Sequence, residues 1–276
     1  PPPFQQSQTM MSYTVPSGVP ADVYSYGRPV TPMALDIAAL QNMYGANTGT
    51  RTGDTIYRLT DAGTVALDLD SSDGTISIGR AYYGIWDAGS SDTIVYEGGN
   101  QVLIDLLAAT LTDSPGADVT AVISALQGSG RFNQLSEGLR TELTDAGISA
   151  GGFFSSILNE SGNRIGGGYS IAHGVVIENA TGGGGNDILL GNASDNRLTG
   201  NGGSDLLIGG GGTDILIGGG GDDEMQGGDG ADTARFAGNR ADYTIQASGG
   251  AVQGADGSDT LQGVEALQFD DTFVFF

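Results

Sequence analysis

Between residues 182 and 235, apolar and polar positions recur with a period of nine. The stretch divides without remainder into GGGGNDILL, GNASDNRLT, GNGGSDLLI, GGGGTDILI, GGGGDDEMQ and GGDGADTAR. Every unit opens on Gly, and position four is Gly except in the second unit, which has Ser194. Position six carries Asp187, Asn196, Asp205, Asp214, Asp223 and Asp232; position eight carries Leu189, Leu198, Leu207, Leu216, Met225 and Ala234. A glycine-rich loop followed by three residues with one inward apolar side chain predicts a loop and a short strand, repeated. Two units make one coil of parallel β-structure, so loops two units apart stack. A flexible glycine-rich linker would show the composition but not the register.

The other periodic stretches are short. In "PMALDIAALQNMYGAN" (32 to 47), Leu35, Ala38, Ala39 and Met43 follow helical spacing, and Gly45 occupies the stop position. "RTGDTIY" (51 to 57) and "IWDAGSSDTIVY" (85 to 96) read as strands with Asp and Gly at their turns. Between about 110 and 148, Val119, Val122, Ile123 and Leu126 return to helical spacing, as do Leu135, Leu139 and Leu143. "QGSGRFN" (127 to 133) is the expected turn of this helical hairpin, which either docks on the roll or offers a partner surface.

Composition adds a partner to this pattern. With 49 glycines in 276 residues, much of the chain lacks the side chains that order a fold by burial. Acidic residues number 33 against 10 basic ones, all arginine, for a net charge of -23. Such a chain repels nucleic acid and anionic membranes and is relieved by a divalent cation. Position six supplies a hard anionic oxygen to five of the six loops, and the glycines let main-chain carbonyls face an ion, which is calcium chemistry. The stacked pairs expected to share ions are Asp187 with Asp205, Asn196 with Asp214, Asp205 with Asp223, and Asp214 with Asp232. Without calcium this tract is expected to be disordered.

Several classes are excluded. There is no cysteine, hence no disulfide and no thiolate site. The most apolar run, "VLIDLLAATL" (102 to 111), contains Asp105 and is too short to span a bilayer. "PPPFQQSQ" has neither the basic start nor the apolar core of a signal peptide, and the lack of an initiator Met leads us to expect a chain that begins inside a longer product.

The nonapeptides are identified as members of the repeats-in-toxin (RTX) class. Together with "MSY" (11 to 13), "LDIAALQNMYGAN", "RTGDTIY", "WDAGSSDT" and "GVVIENATGG" (174 to 183), they resemble the serralysins. These are secreted zinc metalloproteases of the metzincin clan with an RTX C-terminal domain. The resemblance implies that "MSY" is the Met-turn, with Met11 beneath the zinc and Tyr13 as a zinc-ligating tyrosine. It also implies one calcium site built from the carbonyls of Arg51, Gly53 and Thr55 with Asp87, Gly89 and Asp92. A neighbouring site would use Ser90, Asp92, Val176 and Glu178. "DDTFVFF" at the end resembles a type I secretion signal of Gram-negative bacteria, and the preceding "NRADYTI" and "DGSDTLQGVEALQF" resemble an RTX cap.

A metzincin needs H-E-x-x-H-x-x-G-x-x-H to hold zinc, and this chain has one histidine, His173. No G-x-S-x-G elbow or P-loop occurs. His173 reads as a structural or surface residue. The expected organisation is mainly β. Residues 1 to 46 are the remnant of a metzincin catalytic domain. Residues 47 to 238 form a parallel β-roll with calcium in its turns and the helical insertion at about 110 to 148. Residues 239 to 276 form a cap and secretion signal. The expected function is the calcium-binding C-terminal portion of a secreted serralysin-like zinc metalloendopeptidase, inactive alone, with zinc only in an intact parent. Its expected partners are calcium, the type I channel and the N-terminal catalytic part. The alternative is a secreted non-enzymatic calcium-binding module for attachment or assembly.

Overall fold

The computed structural model describes residues 34–44, 46–61, 75–77, 82–89, 91–110, 117–144, 155–246 and 250–276. Met11, Tyr13 and Ser90 lie outside these residues. The three C-terminal residues of each nonapeptide form a strand, and successive units alternate between two sheets. Units two apart pair in parallel, with Leu198 against Leu216 in one sheet and Leu207 against Met225 in the other. Side chains alternate across a strand, so position eight of every unit points between the sheets, where all six are at most 1% exposed.

The roll extends beyond the nonapeptides in both directions. Upstream, the inward column of one sheet continues through Ala180, Ile94, Tyr57 and Ile76. Ile104 precedes Leu189 in the other column. Antiparallel strands Ser155–Leu158 and Arg164–Ile171 widen that second sheet beside Gln101–Asp105. Downstream, residues 239–276 contribute more than a cap. Ser258–Gln262 pairs in parallel with the fifth unit and Ala266–Gln268 with the sixth, after an excursion that carries the antiparallel strands Thr244–Ile245 and Ala251–Gln253. Phe236, Tyr243 and Phe269 stack with ring centroids 5.2–5.5 Å apart and close this end.

The three α-helices among the described residues divide by role. Helix α1 (Ala34–Tyr44) places Ile37 in the roll's core. Met43, expected on the apolar face, is instead 62% exposed. Helices α2 (Ala117–Gly128) and α3 (Glu137–Thr144) form the hairpin expected from spacing, joined through Ser129 to Ser136. All seven of its periodic apolar side chains are buried. They lie in one cluster with Ile188, Leu190, Leu206 and Ile208, which are positions seven and nine of the first and third units. These outward residues are apolar because helices cover them. In the fifth and sixth units the same positions hold Glu224, Gln226, Thr233 and Arg235. The hairpin is therefore packing for the roll, and burying this second layer is hydrophobic stabilisation that the glycine-rich loops cannot supply.

Candidate metal centre

Each position-six aspartate enters its loop with one carboxylate oxygen already committed. Asp205 Oδ1 accepts the main-chain N–H of Asp187 at 2.7 Å, Asp214 that of Asn196 at 2.8 Å, Asp223 that of Asp205 at 2.8 Å, and Asp232 that of Asp214 at 2.8 Å. These are the four pairs expected from the repeat. Parallel stacking puts the N–H of one loop under the carboxylate of the next, which fixes the rotamer and aims the second oxygen.

That second oxygen has no partner in four loops. Asp205 Oδ2, Asp214 Oδ2, Asp223 Oδ2 and Asp232 Oδ2 are buried without a hydrogen bond, on residues at most 2% exposed. A buried, unpaired carboxylate oxygen costs several kcal/mol in an apolar site, on the order of the penalty for an uncompensated charge. Four in register point to a ligand that carries positive charge.

The glycines explain the space in front of these oxygens. Position one is glycine for want of room: a Cβ on Gly200 would overlap Asp205 Oδ2 and come within 2.6 Å of the Gly218 carbonyl oxygen. One on Gly209 would overlap Asp214 Oδ2 and lie 2.5 Å from the Gly227 carbonyl oxygen. In the fourth unit, positions two and four are glycine for backbone conformation as well as for space. Gly210 and Gly212 have φ of 106° and 107°, which a side chain adopts only with strain. Carboxylate and carbonyl oxygens thus converge beside a missing Cβ, and the donor set is oxygen only. Such a set suits a hard cation, above all calcium with its six to eight oxygen ligands. No three His, Cys, Asp or Glu side chains group to hold a metal among the described residues, so these loops must draw on main-chain carbonyls.

Electrostatics agree. Burial pushes the Asp205 carboxyl up to about 8 and the Asp214 carboxyl up to about 7, against a main-chain N–H bond that lowers each. Asp223 and Asp232 are raised for the same reason. A divalent ion supplies the countercharge that lets such groups ionise.

The first two loops differ. Asp187 accepts the N–H groups of Val102 at 2.8 Å and Gly183 at 2.6 Å, so both its oxygens are engaged. Asn196 accepts from the Asn192 N–H at 2.8 Å and donates to the Glu178 carbonyl oxygen at 3.1 Å. These loops have protein partners where the later four have an open oxygen.

Upstream, part of the site implied by the serralysin resemblance assembles. A Cβ on Gly89 would lie 2.7 Å from the Gly53 carbonyl oxygen, 2.8 Å from Asp92 Oδ2 and 2.9 Å from Asp87 Oδ1. Asp92 Oδ2 is buried and unpartnered, while its Oδ1 accepts the Thr55 N–H at 2.7 Å. Burial pushes this carboxyl up to about 7. Arg51 sits at a φ of 48° and donates to the Trp86 carbonyl oxygen. Glu178 Oε2 accepts the Asp92 N–H at 2.8 Å, which joins two members of the second implied set; Ser90 lies outside the described residues, and Val176 is exposed. His173 is exposed, and its Nδ1 donates to the Ala109 carbonyl oxygen at 2.9 Å, a surface role as expected.

Two acidic residues were missed. Asp259 Oδ1 accepts the Asp223 N–H at 2.9 Å, and Glu265 Oε2 accepts the Asp232 N–H at 2.7 Å. They fill position six of two further units, one more coil, and "SDTL" and "VEAL" carry the acid with an apolar residue two later. The excursion hid them by breaking the period of nine.

Comparison with known proteins agrees with this geometry. The model of the RTX calcium-binding nonapeptide repeat matches residues 181–216 and 208–235. The chain is 36% identical over 182 residues to serralysin C of Dickeya chrysanthemi, covering 66% of this chain and 27% of that protein. It is 34% identical over 165 residues to metalloprotease AprA of Pseudomonas entomophila, covering 60% and 24%. Serralysin of Proteus mirabilis is 31% identical over 166 residues, covering 60% and 23%. The chain spans about a quarter of the length of these curated relatives. Residues 181–235 are thus RTX calcium-binding nonapeptide repeats, carried by a serralysin-like chain.

Proposed function

We propose that this chain is the calcium-folded C-terminal portion of a secreted serralysin-like zinc metalloendopeptidase. The observation that carries the reading is the two stacked pairs of buried, unpartnered carboxylate oxygens, each facing a glycine that leaves room for an ion. Bound calcium would supply positive charge and a demand for oxygen ligands. Asp205, Asp214, Asp223 and Asp232 would hold the ions in the array, with Asp187 and Asn196 contributing main-chain order to the first loops. Asp87, Asp92 and Gly53 would hold a further ion upstream with Arg51, Thr55 and Gly89, joined by Ser90, Val176 and Glu178 at its neighbour.

The zinc chemistry belongs to the intact parent. Met11 and Tyr13 would form the floor of its site, and the single His173 cannot replace the missing histidines. The chain alone is therefore proteolytically inert. A roll that stays unfolded at low calcium and folds outside the cell suits export through a type I channel, for which the C-terminal "DDTFVFF" would be the signal.

Intact mass and N-terminal sequencing of the native product, paired with a casein-cleavage assay, test this. A larger product that carries the zinc-binding helix and cleaves casein is expected. A native product beginning near Pro1 and binding calcium without protease activity would overturn it in favour of a non-enzymatic attachment or assembly module.

A further inference from the structure

We propose that Asp232 and Glu265 close an additional calcium site that joins the nonapeptide array to the C-terminal coil across the intervening excursion. The inference rests on the reading that the array loops bind calcium. Two of the site's oxygen donors, Gly263 and Glu265, lie outside the repeat match, which ends at 235.

Three observations carry it. First, Asp232 Oδ2 is buried and unpartnered on a residue that is 0% exposed, although no nonapeptide follows to cover it. Second, the space it faces is built as in the array. A Cβ on Gly227 would overlap both Asp232 Oδ2 and the Gly263 carbonyl oxygen, just as one on Gly209 meets Asp214 Oδ2 and the Gly227 carbonyl. Gly263 therefore does from beyond the excursion what the next position-one glycine does within the array. Third, the coil arrives in register. Thr233 pairs with Ala266 and Ala234 with Leu267, and Glu265 Oε2 takes the Asp232 N–H at 2.7 Å. Asp232 Oδ1 takes the Asp214 N–H in the same way.

The geometry recurs in the same sheet, upstream of the nonapeptides. There Asp92 has an unpartnered Oδ2, gives its N–H to Glu178 Oε2, and precedes a strand paired Thr93 to Asn179. An Asp before one strand and a Glu before the next thus occur twice in this sheet, on either side of its nonapeptide strands. Two carboxylates in contact through one N–H repel each other unless a cation lies between them. The donors are oxygen only, which selects a hard divalent ion.

The consequence is that calcium orders the end of the chain. Ala266–Gln268 pairs antiparallel with Phe273–Phe275, so an ion held by Asp232, Gly263 and Glu265 pins the final hairpin to the roll.

The test uses the full chain and calcium chloride. Glu265→Gln keeps an acceptor for the Asp232 N–H but removes a charge from a solvent-exposed side chain, so the fold is preserved. Calcium stoichiometry by equilibrium dialysis is measured alongside hydrogen exchange of residues 266–275 and of 206–226 across a calcium titration. The variant is expected to bind one ion fewer, or one about ten-fold more weakly, and to need correspondingly more calcium to protect 266–275. Protection of 206–226 should be unchanged. Unaltered stoichiometry and protection in Glu265→Gln, with the parent chain binding calcium normally, would overturn this site and leave the array intact. A parent chain that takes up no calcium would overturn both.

Discussion

The first coils of the roll and the coils between 200 and 235 share a backbone plan but are held together by different means. In the first, Tyr57, Tyr83 and Tyr169 meet with centroids 5.4–6.3 Å apart, and helices α2 and α3 lay a second apolar layer on the outer face. Asp187 and Asn196 there find their partners within the protein. In the fifth and sixth units the inward residues dwindle to Met225 and Ala234 and the outward ones are polar, while the aspartates of the last four units keep an open oxygen. The same repeat can be ordered by burial or by an ion. Open carboxylate oxygens occur in all of the last four units, and they persist where the apolar layers thin out.

The largest effect that follows is regional. Chelating calcium from the full chain should release amides of residues 200–235 to fast exchange while Tyr82–Ile85, Gln101–Asp105 and Arg164–Ile171 stay protected. Hydrogen exchange followed by mass spectrometry reads this directly. Equal loss of protection in both regions would mean that the roll is one cooperative unit and that the division drawn from burial has no energetic meaning.

The complementary break comes from the helical side. Leu126 is fully buried between hairpin and sheet, so Leu126→Ala should cost about 2–5 kcal/mol by loss of transfer energy and the cavity left behind. Denaturant unfolding at saturating calcium should show the loss, while calcium stoichiometry stays as in the parent. A variant that loses ions would place the hairpin in the metal centre's support instead of in a separate layer.

The sequence made one half of this comparison plain and concealed the other. Position eight of the nonapeptides and the spacing of Val119, Val122, Leu126, Leu135 and Leu139 were legible because each period matches one structural element. The pairing of aspartates two units apart was legible because stacking has the same period. That Asp187 and Asn196 are satisfied by Val102 and Glu178 was not, since those partners lie 85 and 18 residues away in sequence, outside the nonapeptides. Asp259 and Glu265 were hidden by the excursion, which displaces them from their partners by 36 and 33 residues instead of 18. Ile37, not Met43, faces the core because the sheet that α1 meets decides which side of a weakly amphipathic helix is buried. Long-range contacts set these points, and a periodic pattern carries no information about them.

The smallest effect separates the two regions by proton instead of by metal. With calcium chelated, burial holds Asp187 at about 7, where two main-chain N–H bonds stabilise its charged form. Asp205, with one such bond and Asp187 and Asp223 as like-charged neighbours, rises to about 8. An unfolded aspartate titrates near 3.9. The folded values lie above it, so the calcium-free fold binds more protons than the unfolded chain between about pH 4 and pH 8. Its contribution from these groups is present in full below about pH 4 and is lost as pH rises through 7 to 8. Circular dichroism in chelator should therefore show strand signal that grows on acidification from pH 8 to pH 5. Calcium reverses the sign, because its ligands must be ionised, and the loaded roll should need more calcium as pH falls below about 7. Strand signal in chelator that is flat across this range would mean that the open carboxylates of the later coils are solvated, and that their distinction from Asp187 lies in packing alone.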